Sequence, residues 1–154
     1  MNIEEVIKAT KEIPLAKKTF LNILFTERVV SETILDLLKT YDLSIEQYNV
    51  LRILKGQNFK PISMGLIQDR MLAKKSNTTR LVDKLLLKDL VTRTNCPDNR
   101  RIIHVTITQK GVDLLEELNP LVDTKENNFA GNLSDQELET LNYLIEKYRN
   151  SNHG

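Results

Sequence analysis

The chain has 154 residues, 40% of them apolar and 28% charged, with a formal net charge of +1. A chain of this length buries roughly 68–70% of the surface its unfolded form exposes, so it holds a core without staples, and the lone Cys96 excludes an internal disulfide framework. No apolar run reaches the about 18 residues that a membrane span needs, and the amino-terminal MNIEEVIKAT is acidic where a signal peptide is basic, so no membrane partner is expected and the reducing cytoplasm is the expected compartment.

Enzyme chemistry is poorly supplied. There are two histidines, His104 and His153, one cysteine, and no GxGxxG, GxxxxGK or HExxH string. Phosphate cradles, zinc sites and nucleophile–base pairs are therefore missing, and neither catalysis nor a cofactor is expected.

From Leu15 to about Thr40 there is no glycine or proline, and apolar residues recur at helical spacing, which predicts one long helix. Five of the six residues from Phe20 to Phe25 are apolar. That is too wide for one stripe and implies a second contact surface, most economically a partner chain. The capping box SIEQ, Ser44 to Gln47, opens a second helix carrying Tyr48, Val50, Leu51 and Leu54 inward, with Gly56 at its end. After Pro61, Ser63 caps a short helix MGLIQDRM. The link LAKK leads to Ser76, read as a second N-cap, and the helix NTTRLVDKLLLKD. Two short helices joined tightly is the helix-turn-helix layout.

On a 100° wheel the last helix places Thr78, Leu81, Val82, Leu85 and Leu86 on one side. Ser76, Thr79, Arg80, Asp83 and Lys84 fall around the other, with Asn77 at the boundary. Short hydroxyl and amide side chains in a first turn approach base edges closely, and Arg80 suits a guanine or a phosphate. Lys74 and Lys75 stand beside the helix amino terminus, where N–H groups and the dipole already favour phosphate. Leu87 falls on this polar side, with packing under the neighbouring loop as its only expected role.

The runs LVTR, TNCPDNRR and IIHVTIT follow. The outer two are rich in β-branched residues, the third alternates, and the middle one carries turn residues, so a β-hairpin with a basic tip is predicted beside the helix. Such a wing follows the DNA backbone or enters the minor groove. Charge agrees with a polyanion partner: residues 68–110 hold ten Lys/Arg against four Asp/Glu, whereas residues 111–154 hold three against nine. The acidic end carries a helix from Gly111 with Val112, Leu114, Leu115 and Leu118, continuing past Pro120. A last helix, capped by the box SDQE at Ser134 to Glu137, presents Leu138, Leu141, Leu144, Ile145 and Tyr148.

The string SNTTRLVDKLLLKDLVTRTNCPDNRRIIHVTITQKG, with LSIEQYNVLRIL upstream and LSDQELETLNYL downstream, closely resembles the MarR (multiple antibiotic resistance regulator) family of winged helix-turn-helix transcription factors. The likeness covers Leu43 to about Tyr148. Its most specific element is Asp98, Asn99, Arg100 followed by Arg101, an alternating strand and a Thr-x-x-Gly helix start at Thr108 to Gly111. The resemblance implies a mainly α fold with a small β-wing, a single domain over residues 1–154. Within it, residues 43–110 form the winged helix-turn-helix, and 1–42 and 111–154 the dimerisation helices.

By function, the resemblance implies a homodimer on a pseudo-palindromic double-stranded operator, commonly a repressor released by a small aromatic or phenolic acid. Carried over by position, it puts DNA contacts at Asn77, Thr78, Thr79, Arg80 and Lys84, beside Lys74, Lys75 and Ser76. It puts the wing-tip arginine at Arg100, oriented by Asp98, with Arg101 as a lesser addition. Phe20, Phe25, Tyr41 and Tyr48 lie on elements that line the effector cleft in relatives, although aromatics at helical spacing are commonly core. Asp89 stands where the family commonly has Gly, and aspartate tolerates the left-handed backbone that this helix end needs. Two other readings stay open: a winged-helix protein-interaction module using the same basic face, and a redox-sensing regulator using Cys96.

Overall fold

A computed structural model describes residues 1–99 and 101–150. The chain divides into two compact units, one from Met1 to Val112 and one from Asp113 onward. In the first, α1 (Ile3–Val6) precedes the long α2 (Leu15–Lys39), then α3 (Ile45–Lys55), β1 (Ile62–Ser63), α4 (Met64–Arg70), α5 (Thr78–Leu86), β2 (Val91–Asn95) and β3 (Ile103–Ile107). The helix α6 (Gln109–Ala130) runs from the first unit into the second and contains Pro120, and α7 (Asp135–Asn150) completes the second unit.

The element boundaries follow local chemistry. The predicted box at Ser44 and Gln47 is present in both directions, as is the one at Ser134 and Glu137. Gly56 is the C-cap of α3 but stays right-handed at φ −61°, and the left-handed steps fall on Asn58 and Phe59. Two helices end in the same way without glycine. After α2, Leu43 N–H donates to the Leu38 carbonyl and Asp42 N–H to that of Lys39, with Asp42 at φ 55°. After α5, Leu90 N–H donates to Leu85 and Asp89 N–H to Leu86, with Asp89 at φ 58°. Each is a Schellman closure with aspartate at the left-handed position and a buried leucine on either side. The conformation expected of Asp89 is therefore the one it adopts.

The hairpin β2–β3 is antiparallel, Val91 opposite Ile107 and Arg93 opposite Val105. A third strand was not foreseen: β1 pairs with β3 through Ile62 opposite Val105, giving the order β1-β3-β2. Only two residues long, β1 carries no period of its own. The core of this unit gathers Leu51, Leu54, Ile67, Met71, Val82 and Leu85 from α3 to α5 with Val105 of the central strand, each under 2% exposed. In the second unit α6 buries Leu115, Leu118 and Val122, whereas α7 buries nothing.

Candidate nucleic-acid interface

The first turn of α5 differs from expectation in one respect. Its N-cap is Asn77, whose side-chain oxygen accepts from the Arg80 N–H at 3.1 Å, and not Ser76, whose N–H instead closes a turn onto the Ala73 carbonyl. Either residue type caps well, so sequence alone does not choose between neighbours. The helix also ends at Leu86, short of the predicted Asp89, because the Schellman closure takes the last turn.

Thr79, Arg80 and Lys84 stand exposed on the outer face of α5, with Lys74 and Lys75 exposed in the link before it. Thr78, carried over as a DNA contact, is not on that face. It is 4% exposed and its hydroxyl donates to the Gln68 side chain of α4, so it cannot meet a base edge from there. The wheel had already put it on the inner side. Leu87 is also corrected: it is 86% exposed and packs under no loop.

Asp83 lies among the exposed cations of α5, and a bare carboxylate there would repel phosphate. Arg93 of β2 meets it at 2.8 Å, cancelling that charge and tying helix to wing. At the wing tip, Asn99 organises the turn. Its carbonyl accepts from Ile102 N–H and its side chain from Arg101 N–H, while Cys96 N–H reaches the Ile102 carbonyl at 2.8 Å. Asp98 and Arg101 are exposed. Arg100, and with it the expected Asp98–Arg100 pair, lies outside the described residues, as does His153. Cys96 is half-buried. Among the described residues no group of three or more His, Cys, Asp or Glu could hold a metal, and no helix is long and apolar enough to cross a membrane. Gln68 and Arg93 carry no motif and were missed by sequence reasoning, and Asn99 lies inside the wing motif without its turn-closing role being legible there.

Beside the end of α5 an open cleft of about 440 Å³ is lined by Leu35 and Lys39 of α2, by Asp42, Leu43, Ser44 and Gln47, and by Lys84, Leu87 and Lys88. None of the four aromatic candidates lines it. Phe20 is half exposed, Phe25 and Tyr41 are half-buried, and Tyr48 is a core residue with the Arg52 guanidinium 5.7 Å from its ring centre. Helical spacing thus marks a core residue at Tyr48 and an exposed one at Phe20.

At one edge of the cleft Lys88 holds Asp42 by a 2.8 Å ion pair and also donates to its carbonyl, joining the end of α2 to the end of α5. The Lys88 hydrogen bond, then its charge, and more weakly Lys84, keep the Asp42 carboxyl below the usual range. A depressed carboxyl contributes its stabilisation in full above the unfolded value, about 3.9, and loses it as pH falls through the lower folded value. Wild type is therefore expected to exceed Asp42→Asn in urea midpoint at pH 7, by a small margin for so exposed a pair, with the margin closing below about pH 4. Asparagine keeps the left-handed backbone, so a pH-independent margin would show that the ion pair is not its source.

Comparison with known proteins follows this geometry. A family model described as the MarR family matches residues 43–103. The chain is 30% identical to a MarR transcription factor of Planctomyces limnophilus whose crystal structure is known, covering 88% of this chain and 98% of that one with a TM-score of 0.69. It is 28% identical over 107 residues to the transcriptional regulator MhqR of Bacillus subtilis, 70% of this chain and 72% of the relative. The fold is shared with BpsR of Bordetella bronchiseptica, described by regulation of its DNA binding by 6-hydroxynicotinic acid, at 19% identity and a TM-score of 0.77 over 90% of this chain and 98% of that one. These named relatives are regulators of transcription rather than enzymes. The chain belongs to the MarR family of winged-helix transcriptional regulators.

Proposed function

We propose that this regulator is a homodimeric repressor that reads a pseudo-palindromic operator and leaves it when a small anionic effector binds. The observation that carries the reading is the outer face of α5, where Thr79, Arg80 and Lys84 stand free of the core next to a basic hairpin braced by Arg93. Asn77, Thr79 and Arg80 read base edges in the major groove, and Lys74, Lys75, Ser76 and Lys84 hold phosphates. The wing, with Arg100 and Arg101 and with Asp98 orienting Arg100, follows the neighbouring backbone or minor groove.

Dimerisation is supported by the faces that one chain leaves bare. Phe20 and Leu24 of α2 are each 51% exposed, and Leu141, Leu144, Ile145 and Tyr148 of α7 lie between 41% and 52%. Two-fold symmetry then sets two copies of α5 one helical turn apart on DNA. The effector reading is supported by the open cleft beside α5, lined by Lys39, Lys84 and Lys88 and by apolar Leu35, Leu43 and Leu87, in which Lys88 and Lys39 would have to exchange Asp42 and Asp36 for the ligand. That lining suits a flat aromatic ring bearing a carboxylate, and the DNA binding of BpsR, which shares the fold, is regulated by 6-hydroxynicotinic acid, an aromatic acid.

Binding to duplex DNA at rising salt tests the reading. The logarithm of affinity is expected to fall linearly with that of salt, at about −0.9 per phosphate neutralised. Arg80→Ala should also change which sequence is preferred, whereas Lys75→Ala should weaken all duplexes alike and lower the slope by about 1. A flat salt response would transfer the basic face to a protein partner.

A further inference from the structure

The link between α4 and α5 is short of regular structure. Met71 is extended at its start, and the turn from Ala73 to Ser76 follows. The Gln68 side chain holds this link to both helices, beside a second tie in which the Lys74 amine donates to the Asp69 carbonyl of α4. The Gln68 amide of α4 donates from Nε2 to the Lys74 carbonyl at 2.6 Å, while its Oε1 accepts the hydroxyl of Thr78, the first residue of α5. Both halves of one rigid, planar amide are used, so its two partners are fixed relative to each other as well as to α4. Thr78 is buried, and the residues on either side of it are the cap Asn77 and the outward Thr79. Lys74 adjoins Lys75. The clamp therefore sets where the backbone of the Lys74–Lys75 link and the first turn of α5 stand together.

We infer that Gln68 is a positioning residue for sequence reading: it touches no DNA, but through Lys74 and Thr78 it fixes the first turn of α5 in the register needed to discriminate among base pairs. This rests on the proposal that α5 enters the major groove. Charge attraction to DNA needs no such register, because every cation survives when Gln68 is removed. Discrimination does need it, since a bidentate contact fails when its donor pair shifts by a fraction of its length.

The test uses the full-length chain with two duplexes, one selected by the wild type from a random-sequence pool and a scrambled one of equal length. In Gln68→Ala, affinity for the selected duplex is expected to fall about tenfold, one good base contact by the usual scale, while affinity for the scrambled duplex stays within about twofold and its salt slope is unchanged. Thr78→Val should give the same pattern, and the double variant should be no worse than either single one, because both cut the same clamp.

Gln68→Glu supplies a readout that fold stability would not move. Its carboxylate still accepts from Thr78 but opposes the Lys74 carbonyl, so the ratio between the two duplexes should fall at neutral pH. It should recover, relative to wild type, as acid protonates the side chain and restores a donor. A ratio within twofold of wild type in all three single variants overturns the assignment, and so does a parallel loss on both duplexes, which marks a merely structural residue. If the wild type itself selects no sequence, the reading of α5 fails first and Gln68 falls with it. That outcome is visible before any variant is made.

Discussion

Leu141→Glu with Leu144→Glu is expected to turn the proposed dimer into a monomer and to lower affinity for a full operator by about two orders of magnitude or more, the gain usually supplied by linking two binding sites. Both leucines lie on α7, which buries none of its residues within the chain, at 43% and 52% exposure. The substitutions therefore cost the isolated chain little. In the proposed dimer they would place four carboxylates across a two-fold contact formed by a helix that already carries Asp135, Glu137, Glu139 and Glu146. Like charges forced together without partners are strongly unfavourable once water is excluded. Sedimentation equilibrium at micromolar concentration measures the state, and a duplex carrying a single half-site supplies the control. Half-site affinity should stay within about twofold, because no residue of α5 or the wing has changed. A double variant that remains dimeric and binds the full operator as wild type does would move the dimer contact elsewhere.

What sequence made legible here were the features whose cause is local. The length of α2 follows from an uninterrupted helical period, and both capping boxes from residues three apart. Asp89 was recognisable as a left-handed stop because the resembled family commonly has Gly at this position and aspartate tolerates that backbone. Features set by distant residues were not legible. The strand β1 exists only because Ile62 meets Val105, forty-three positions on. Asn77 rather than Ser76 caps α5 in a link whose backbone is held by Gln68, and Arg93 gains its meaning from Asp83, ten residues back on another element. Of the four aromatics expected near an effector cleft, Tyr48 lies in the core and Phe20 is half exposed, because helical spacing reports a face of the helix and not what covers that face. Leu87 shows the converse: an apolar residue on a polar face had no structural explanation because it is an exposed wall of the cleft.

Gly111→Ala is expected to destabilise the fold clearly, although it adds only one methyl group. A Cβ at Gly111 would lie 2.4 Å from the Leu90 carbonyl oxygen and 2.8 Å from Ile107 Cγ1. The first of these is backbone, and it is already engaged: the Leu90 carbonyl accepts from Thr108 N–H at 3.1 Å, and Leu90 N–H closes the Schellman motif of α5 onto Leu85. Thr108 is fixed in turn, its hydroxyl donating to the Asp89 carbonyl and accepting from Gly111 N–H. Relief of the clash must therefore open the seat of α6, the base of the wing or the end of α5. Overpacking of this kind costs about 1–3 kcal/mol and more where the neighbour cannot yield. The helix propensity that alanine gains over glycine, about 1 kcal/mol in a helix interior, offsets only part of it. A net loss of about 2 kcal/mol corresponds to a fall in Tm of roughly 4–8 °C for a chain of this size. Gly65→Ala in α4 is the matched control, since its nearest neighbour is the Ser63 hydroxyl oxygen at 3.9 Å, and it should be neutral or slightly stabilising. Because the strained contact joins the recognition helix, the wing and α6 at one point, the variant should also lose operator affinity under conditions where it is still folded. A Gly111→Ala protein melting with the Gly65→Ala control would mean that α6 does not sit this close to the base of the wing.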